Sequence, residues 1–161
     1  MAKEMKIELG VGVGPVKYGM TEEEVISIFG HPDKIEEKEY VDDDGDWYRE
    51  LIYLERAISF TFNKNDDYKL GTIDVSGPGY TLFGKDLFNL PIEQVKKFVV
   101  KSTNVIPKYE DQTWGSDSTL ECLDQFDLGL MLFLRNGCLS EIQCGYLFES
   151  DNETVIWPHQ P

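Results

Sequence analysis

Along "ISFTFN", apolar Ile58, Phe60 and Phe62 alternate with polar Ser59 and Thr61. A period of two places one set on a buried sheet face and turns the other toward water. Related strand patterns run through "ELIYLE" from Glu50, "LGTIDVS" from Leu70, "TLECLD" from Thr119, "LMLFLRNG" from Leu130 and "LSEIQCG" from Leu139. The short connections "ERA", "NKNDDYK", "DQFD" and "RNG" predict hairpins, so strands that follow one another should pair antiparallel.

The pattern changes period in "GMTEEEVISIFGHPD", Gly19 to Asp33. Thr21 and Glu24 have the capping-box spacing, and Val25, Ile28 and Phe29 fall on one helical face. Gly30 suits the C-cap, and Pro32 prevents continuation. A weaker copy, "DLFNLPIEQVKKFVV", returns with Pro91 in the place of Thr21 and with Val95, Phe98 and Val99 in the places of Val25, Ile28 and Phe29. The strand segments repeat at a similar offset. The expectation is therefore an α+β fold of two tandem helix-plus-antiparallel-strand repeats, about 11–78 and 79–148, forming one sheet with helices on one face. Residues 1–161 would make a single domain with a C-terminal tail, 149–161. "KIELGVGVGPV" is expected to add an edge strand, "GYTLFGKDLF" to carry the crossover, and 102–118 to form the longest loop.

Charge narrows the class of partner. Thirty acidic residues against fifteen basic ones give a net charge of -15, spread over both halves, while 41% hydrophobic content indicates a folded chain. Such a field repels nucleic acid, whose binding depends on Lys and Arg neutralising phosphates. Its ordinary use is solubility; its sharper use is to complement a basic protein, such as a toxin or nuclease domain. The N-terminus lacks an apolar run of signal-peptide length, and "LGLMLFL" is far short of a membrane span, so a cytoplasmic location without membrane contact is expected. Cys122, Cys138 and Cys144 have no zinc or redox spacing and read as structural thiols.

Gly19 to Asp33 resembles the G-M-(S/T)-x-x-x-V-x-x-x-x-G-x-P signature of small helix-plus-sheet modules, among them the beta-lactamase inhibitor protein family and outer-membrane assembly lipoproteins. The doubling is similar to the inhibitor family, in which the resemblance implies a sheet face that grips an enzyme. "YTLFGKDLFNLPIEQVKKF" and "LGLMLFLRNGCLSEIQCG" also resemble proteins encoded beside polymorphic toxins, which implies immunity. No binding residue transfers by position, because none lies within the matched motif.

Catalytic and metal motifs are weak. Placing Gly45 of "YVDDDGDW" at the sixth position of a calcium loop puts Tyr40 first and Leu51 twelfth, so the motif fails at both ends. His31 and His159 have no spacing suggestive of a triad or a metal pair. There is no nucleophile elbow and no phosphate loop. The expectation is a non-enzymatic inhibitor with no cofactor or metal. Its partner-binding residues are placed at Asp42, Asp43, Asp44, Asp46 and Trp47 in the acidic turn. On the open sheet face they are placed at Ile52, Leu54, Asp74, Met131, Phe133 and Glu141. That assignment rests on Leu51 and Tyr53 pointing inward, as their counterparts Leu120 and Cys122 would, and on the alternation of Met131 and Phe133 with Leu130, Leu132 and Leu134. A homodimer through the same face, an assembly module of the lipoprotein type and an enzyme with unannounced carboxylates are the alternatives.

Overall fold

The computed structural model describes residues 5–39, 45–113 and 119–159. In chain order its strands and helices are β1 (Met5–Glu8), β2 (Gly12–Val13), β3 (Val16–Lys17), α1 (Glu22–Phe29), β4 (Lys34–Glu39), β5 (Trp47–Tyr53), β6 (Ile58–Asn63), β7 (Lys69–Val75) and β8 (Tyr80–Leu82). They continue with α2 (Ile92–Thr103), β9 (Lys108–Asp111), β10 (Leu120–Gln125), β11 (Leu130–Arg135), β12 (Cys138–Gly145), β13 (Leu147–Phe148) and β14 (Val155–Ile156). The fold is mixed α+β and mostly sheet.

Eight strands form the main sheet in the order β4-β5-β6-β7-β12-β11-β10-β9. Every neighbouring pair in it is antiparallel, as the hairpin connections require. One buried row crosses it through Tyr53, Ile58, Val75, Ile142, Leu132 and Leu123. Another runs from Leu51 through Phe60, Ile73 and Cys144 to Leu130.

Helix α1 begins as its sequence dictates. The Glu24 amide donates to Thr21 Oγ1 at 3.2 Å, and the Thr21 amide donates to the Glu24 carboxylate at 2.9 Å. Eight residues cannot hold a helix in water, so packing must support it. Phe29 supplies that packing, with its ring edge-on to Tyr53 at 5.4 Å and to Phe60 at 5.1 Å. In α2 the N-cap is Pro91, and Val95 and Val99 are the buried residues, as Val25 and Phe29 are in α1. Thr103, in the last turn of α2, receives a 3.4 Å hydrogen bond from the amide of Gln125.

Several local expectations are corrected. Edge strands β4 and β9 were not legible, and β9 lies inside the segment read as the longest loop. Both are almost wholly charged or exposed, "KIEEKE" and "KYED", which is how sheet edges discourage further pairing and why no apolar alternation marks them. The N-terminal segment does not join the edge of the main sheet: β1, β2 and β3 form a separate four-stranded sheet with β8, which β1 meets in parallel. Ile28 is 42% exposed, leaving Val25 and Phe29 to hold α1 down. Part of the presumed tail folds back as the β13–β14 hairpin, and Trp157 beyond it stacks edge-on against Tyr146 at 5.1 Å.

The inward assignment on β10 slips by one residue. Leu123, not Cys122, aligns with buried Leu132, while Cys122 lies opposite Phe133 on the other face and is nevertheless fully buried. Because strand side chains alternate with period two, a one-residue error in aligning "TLECLD" with "ELIYLE" exchanges the faces of the whole strand.

Candidate functional site

The face of the main sheet opposite the buried rows carries a continuous line of residues. Across neighbouring strands it runs Ile52, Ser59, Asp74, Gln143, Met131 and Asp124. Beside it, Phe133 lies opposite Glu141 on one strand and opposite Cys122 on the other. Ile52, Met131 and Phe133 are half-buried, and Leu54, just past the end of β5, is 59% exposed.

At the first half of this face is a cavity of about 250 Å³, lined in part by Glu50, Ile52, Leu54, Ser59, Asp74 and Glu141. The structure thus brings four of the expected site residues, Ile52, Leu54, Asp74 and Glu141, around one space. Ser59 Oγ donates to the Glu50 carboxylate at 3.2 Å. Burial pushes the Asp74 carboxyl up to about 8, reinforced by the charge of Glu141, a hydrogen bond with Glu141 and the charge of Glu50. A carboxyl in that state holds its proton at neutral pH.

Met131 lies farther along the face and lines a second cavity of about 300 Å³ with Thr72, Gln143, Phe126, Tyr146 and Phe148. Phe126 is 68% exposed and stacks on Phe148 with ring centroids 6.2 Å apart. Sequence reasoning missed both Glu50 and this aromatic group. Glu50 had a usable signal, since it lies two residues before Ile52 and therefore on the same face. Phe126, Tyr146 and Phe148 lie in turns and short strands where no periodicity marks a surface.

Asp46 and Trp47 do not join this arrangement. They stand at the start of β5, and Trp47 lies opposite Glu39. Five residues of strand, roughly 16 Å, separate Trp47 from Ile52. Asp42, Asp43 and Asp44 fall outside the described residues.

The remaining candidate chemistry is structural. Burial pushes the Cys144 thiol up to about 12 and the Cys122 thiol up to about 11, which keeps both protonated and inert. The His159 ring lies 3.3 Å from the Glu24 carboxylate, and its backbone amide donates to the Tyr18 carbonyl at 3.2 Å. It thereby ties the end of the chain to the start of α1. Among the described residues, no group of three or more His, Cys, Asp or Glu side chains is placed to hold a metal ion. No helix among them is long and apolar enough to cross a membrane.

Comparison of the chain with protein-family models, with curated proteins and with solved structures gives no match in any of the three.

Proposed function

We propose that the chain is a protein-binding inhibitor that docks a basic partner on the open face of its eight-stranded sheet and acts by occluding it. The observation that carries this reading is the composition of the face. Half-buried Ile52, Met131 and Phe133 share it with the acidic side chains of Glu141 and Glu50 and with the protonated Asp74 carboxyl, in a chain whose net charge is -15. Apolar groups set among polar ones on an otherwise solvated face are what a partner can desolvate, and surplus negative charge selects a positively charged partner.

In this reading the chain is a cytoplasmic immunity protein for a bacterial toxin, without catalysis of its own. Its two halves are tandem repeats with both helices on the face opposite the docking surface. Three features support the repeat. The strand order runs outward from the central β7–β12 pair to a charged edge strand on each side. The N-caps Thr21 and Pro91 are seventy residues apart, as are the buried pairs Val25 with Val95 and Phe29 with Val99. Contacts of Phe29 with Phe60, and of Thr103 with Gln125, support a shared helix-bearing face.

The test is capture from a lysate of the native host on immobilised chain, identification of the enriched protein, and recombination of the two purified components. A 1:1 complex in which the captured protein loses its activity is the expected result. A captured protein that remains fully active in the complex, or the absence of any enriched protein, would reject inhibition by occlusion.

A further inference from the structure

The two four-stranded halves of the main sheet meet at one strand pair. There β7 and β12 align over four residue pairs, from Thr72 with Gly145 to Val75 with Ile142. On the open side of this junction Asp74 lies between Ser59 of β6 and Gln143 of β12. Glu141, also on β12, and Glu50, on β5, line the same cavity. Carboxylates on adjacent strands that face one confined space repel when both are ionised, and here the repulsion acts on the pair that joins the halves.

The surroundings offer little relief. Of the two neutral side chains flanking Asp74, Ser59 already donates to Glu50 at 3.2 Å, and Gln143 brings no charge to offset the carboxylates. Lys34, the cation at the β4 end of the same row, is three strands away from Asp74, roughly 14 Å at the usual strand spacing. Lys108, at the other end, is four strands away, roughly 19 Å. Lys38 on β4 is engaged with Glu36 at 2.9 Å. From the core side the titratable groups that feel Asp74 are the Tyr18 phenol and the Cys144 thiol, both protonated and neutral because burial holds their protons.

We propose that Asp74 and Glu141 form a proton-holding clasp across the β7–β12 junction, in which one shared proton joins the two halves of the sheet and its loss to solvent weakens the junction. The clasp belongs to the free chain and does not depend on the docking reading. Its direction follows from linkage. The Asp74 carboxyl has an ordinary value of 3.8 and rises to about 8 in the folded chain, so the folded state holds the extra proton between those values. Stability is therefore highest at the acid end of that window, falls as pH rises through it, and levels off above the folded value.

The test is a ¹³C side-chain carboxyl titration of the intact chain, with urea unfolding at pH about 6 and about 9 for the native chain, Asp74→Asn and Glu141→Gln. The range between those two pH values lies above ordinary carboxylate titration. One of the two carboxyls is expected to titrate near 8, the step belonging to the pair. The urea midpoint of the native chain should fall between the two pH values. In Asp74→Asn, whose amide donates without ionising, that fall should be smaller, and Glu141→Gln should lower the Asp74 midpoint. The clasp is overturned if neither carboxyl of the native chain titrates above about pH 6, a result that does not depend on any variant folding. It is also overturned if Asp74→Asn loses as much stability between the two pH values as the native chain does.

Discussion

Arg49, midway along β5, holds the Glu22 carboxylate in the first turn of α1 with two nitrogens, Nε at 2.7 Å and a terminal nitrogen at 3.1 Å. Its other terminal nitrogen reaches Glu37 on β4 at 2.9 Å. One guanidinium therefore ties a helix start, a sheet strand and an edge strand together. The site is partly solvated, so the effect is modest. Arg49→Ala is expected to cost roughly 0.5–1 kcal/mol in urea unfolding. Arg49→Lys should recover only part of that, because an ammonium cannot match the two-point geometry. A double-mutant cycle with Glu22→Gln should show the two losses to be less than additive.

A side-chain hydroxyl contributes a hydrogen bond at each end of α1. At its start, Thr21→Ala removes the capping oxygen and should cost about 1 kcal/mol. At its end, the Tyr53 hydroxyl donates to the Gly30 carbonyl at 2.7 Å, and Tyr53→Phe should cost a further ~1 kcal/mol. The two losses should add in chemical denaturation, since the groups act at opposite ends of the helix and share no partner.

What the sequence made legible follows from where apolar periodicity exists. Strands β5, β6, β7, β11 and β12 announce themselves because one face of each is buried. Edge strands β4 and β9 face mostly water, so their sequences carry charge and no alternation. The helix starts were legible from Thr21 and from the place of Pro91, whereas the end of α2 at Thr103 was not, because Asn104 takes the left-handed conformation there and no glycine marks it. On the face, Ile52, Asp74, Met131, Phe133 and Glu141 could be assigned by parity within their own strands. Cys122 could not, since its assignment depended on aligning two strands to the residue. The aromatic group of Phe126, Tyr146 and Phe148 is assembled from segments remote in sequence, which local pattern does not encode.

The core beneath α1 should respond as one unit. Phe60 is fully buried and meets the rings of both Phe29 and Tyr53 edge-on, the latter at 5.8 Å. Phe60→Ala should cost about 3–5 kcal/mol by calorimetry or urea unfolding, through lost burial and the cavity left behind. Ile28→Ala, on the exposed side of the same helix, should change stability by no more than about 0.5 kcal/mol.

The docking face is tested most directly by the dissociation rate of whatever protein the immobilised chain captures, measured in parallel on the native chain, Phe133→Ala and Ile106→Ala. Ile106 is 83% exposed beyond the end of α2 and serves as the control for a lost surface apolar group. Phe133, half-buried on the open face opposite Glu141, is the expected anchor. Its loss should speed dissociation by roughly thirtyfold, equivalent to about 2 kcal/mol, while Ile106→Ala leaves the rate unchanged. A Phe133→Ala variant that folds normally yet releases the partner no faster than the native chain would contradict the placement of the interface on this face.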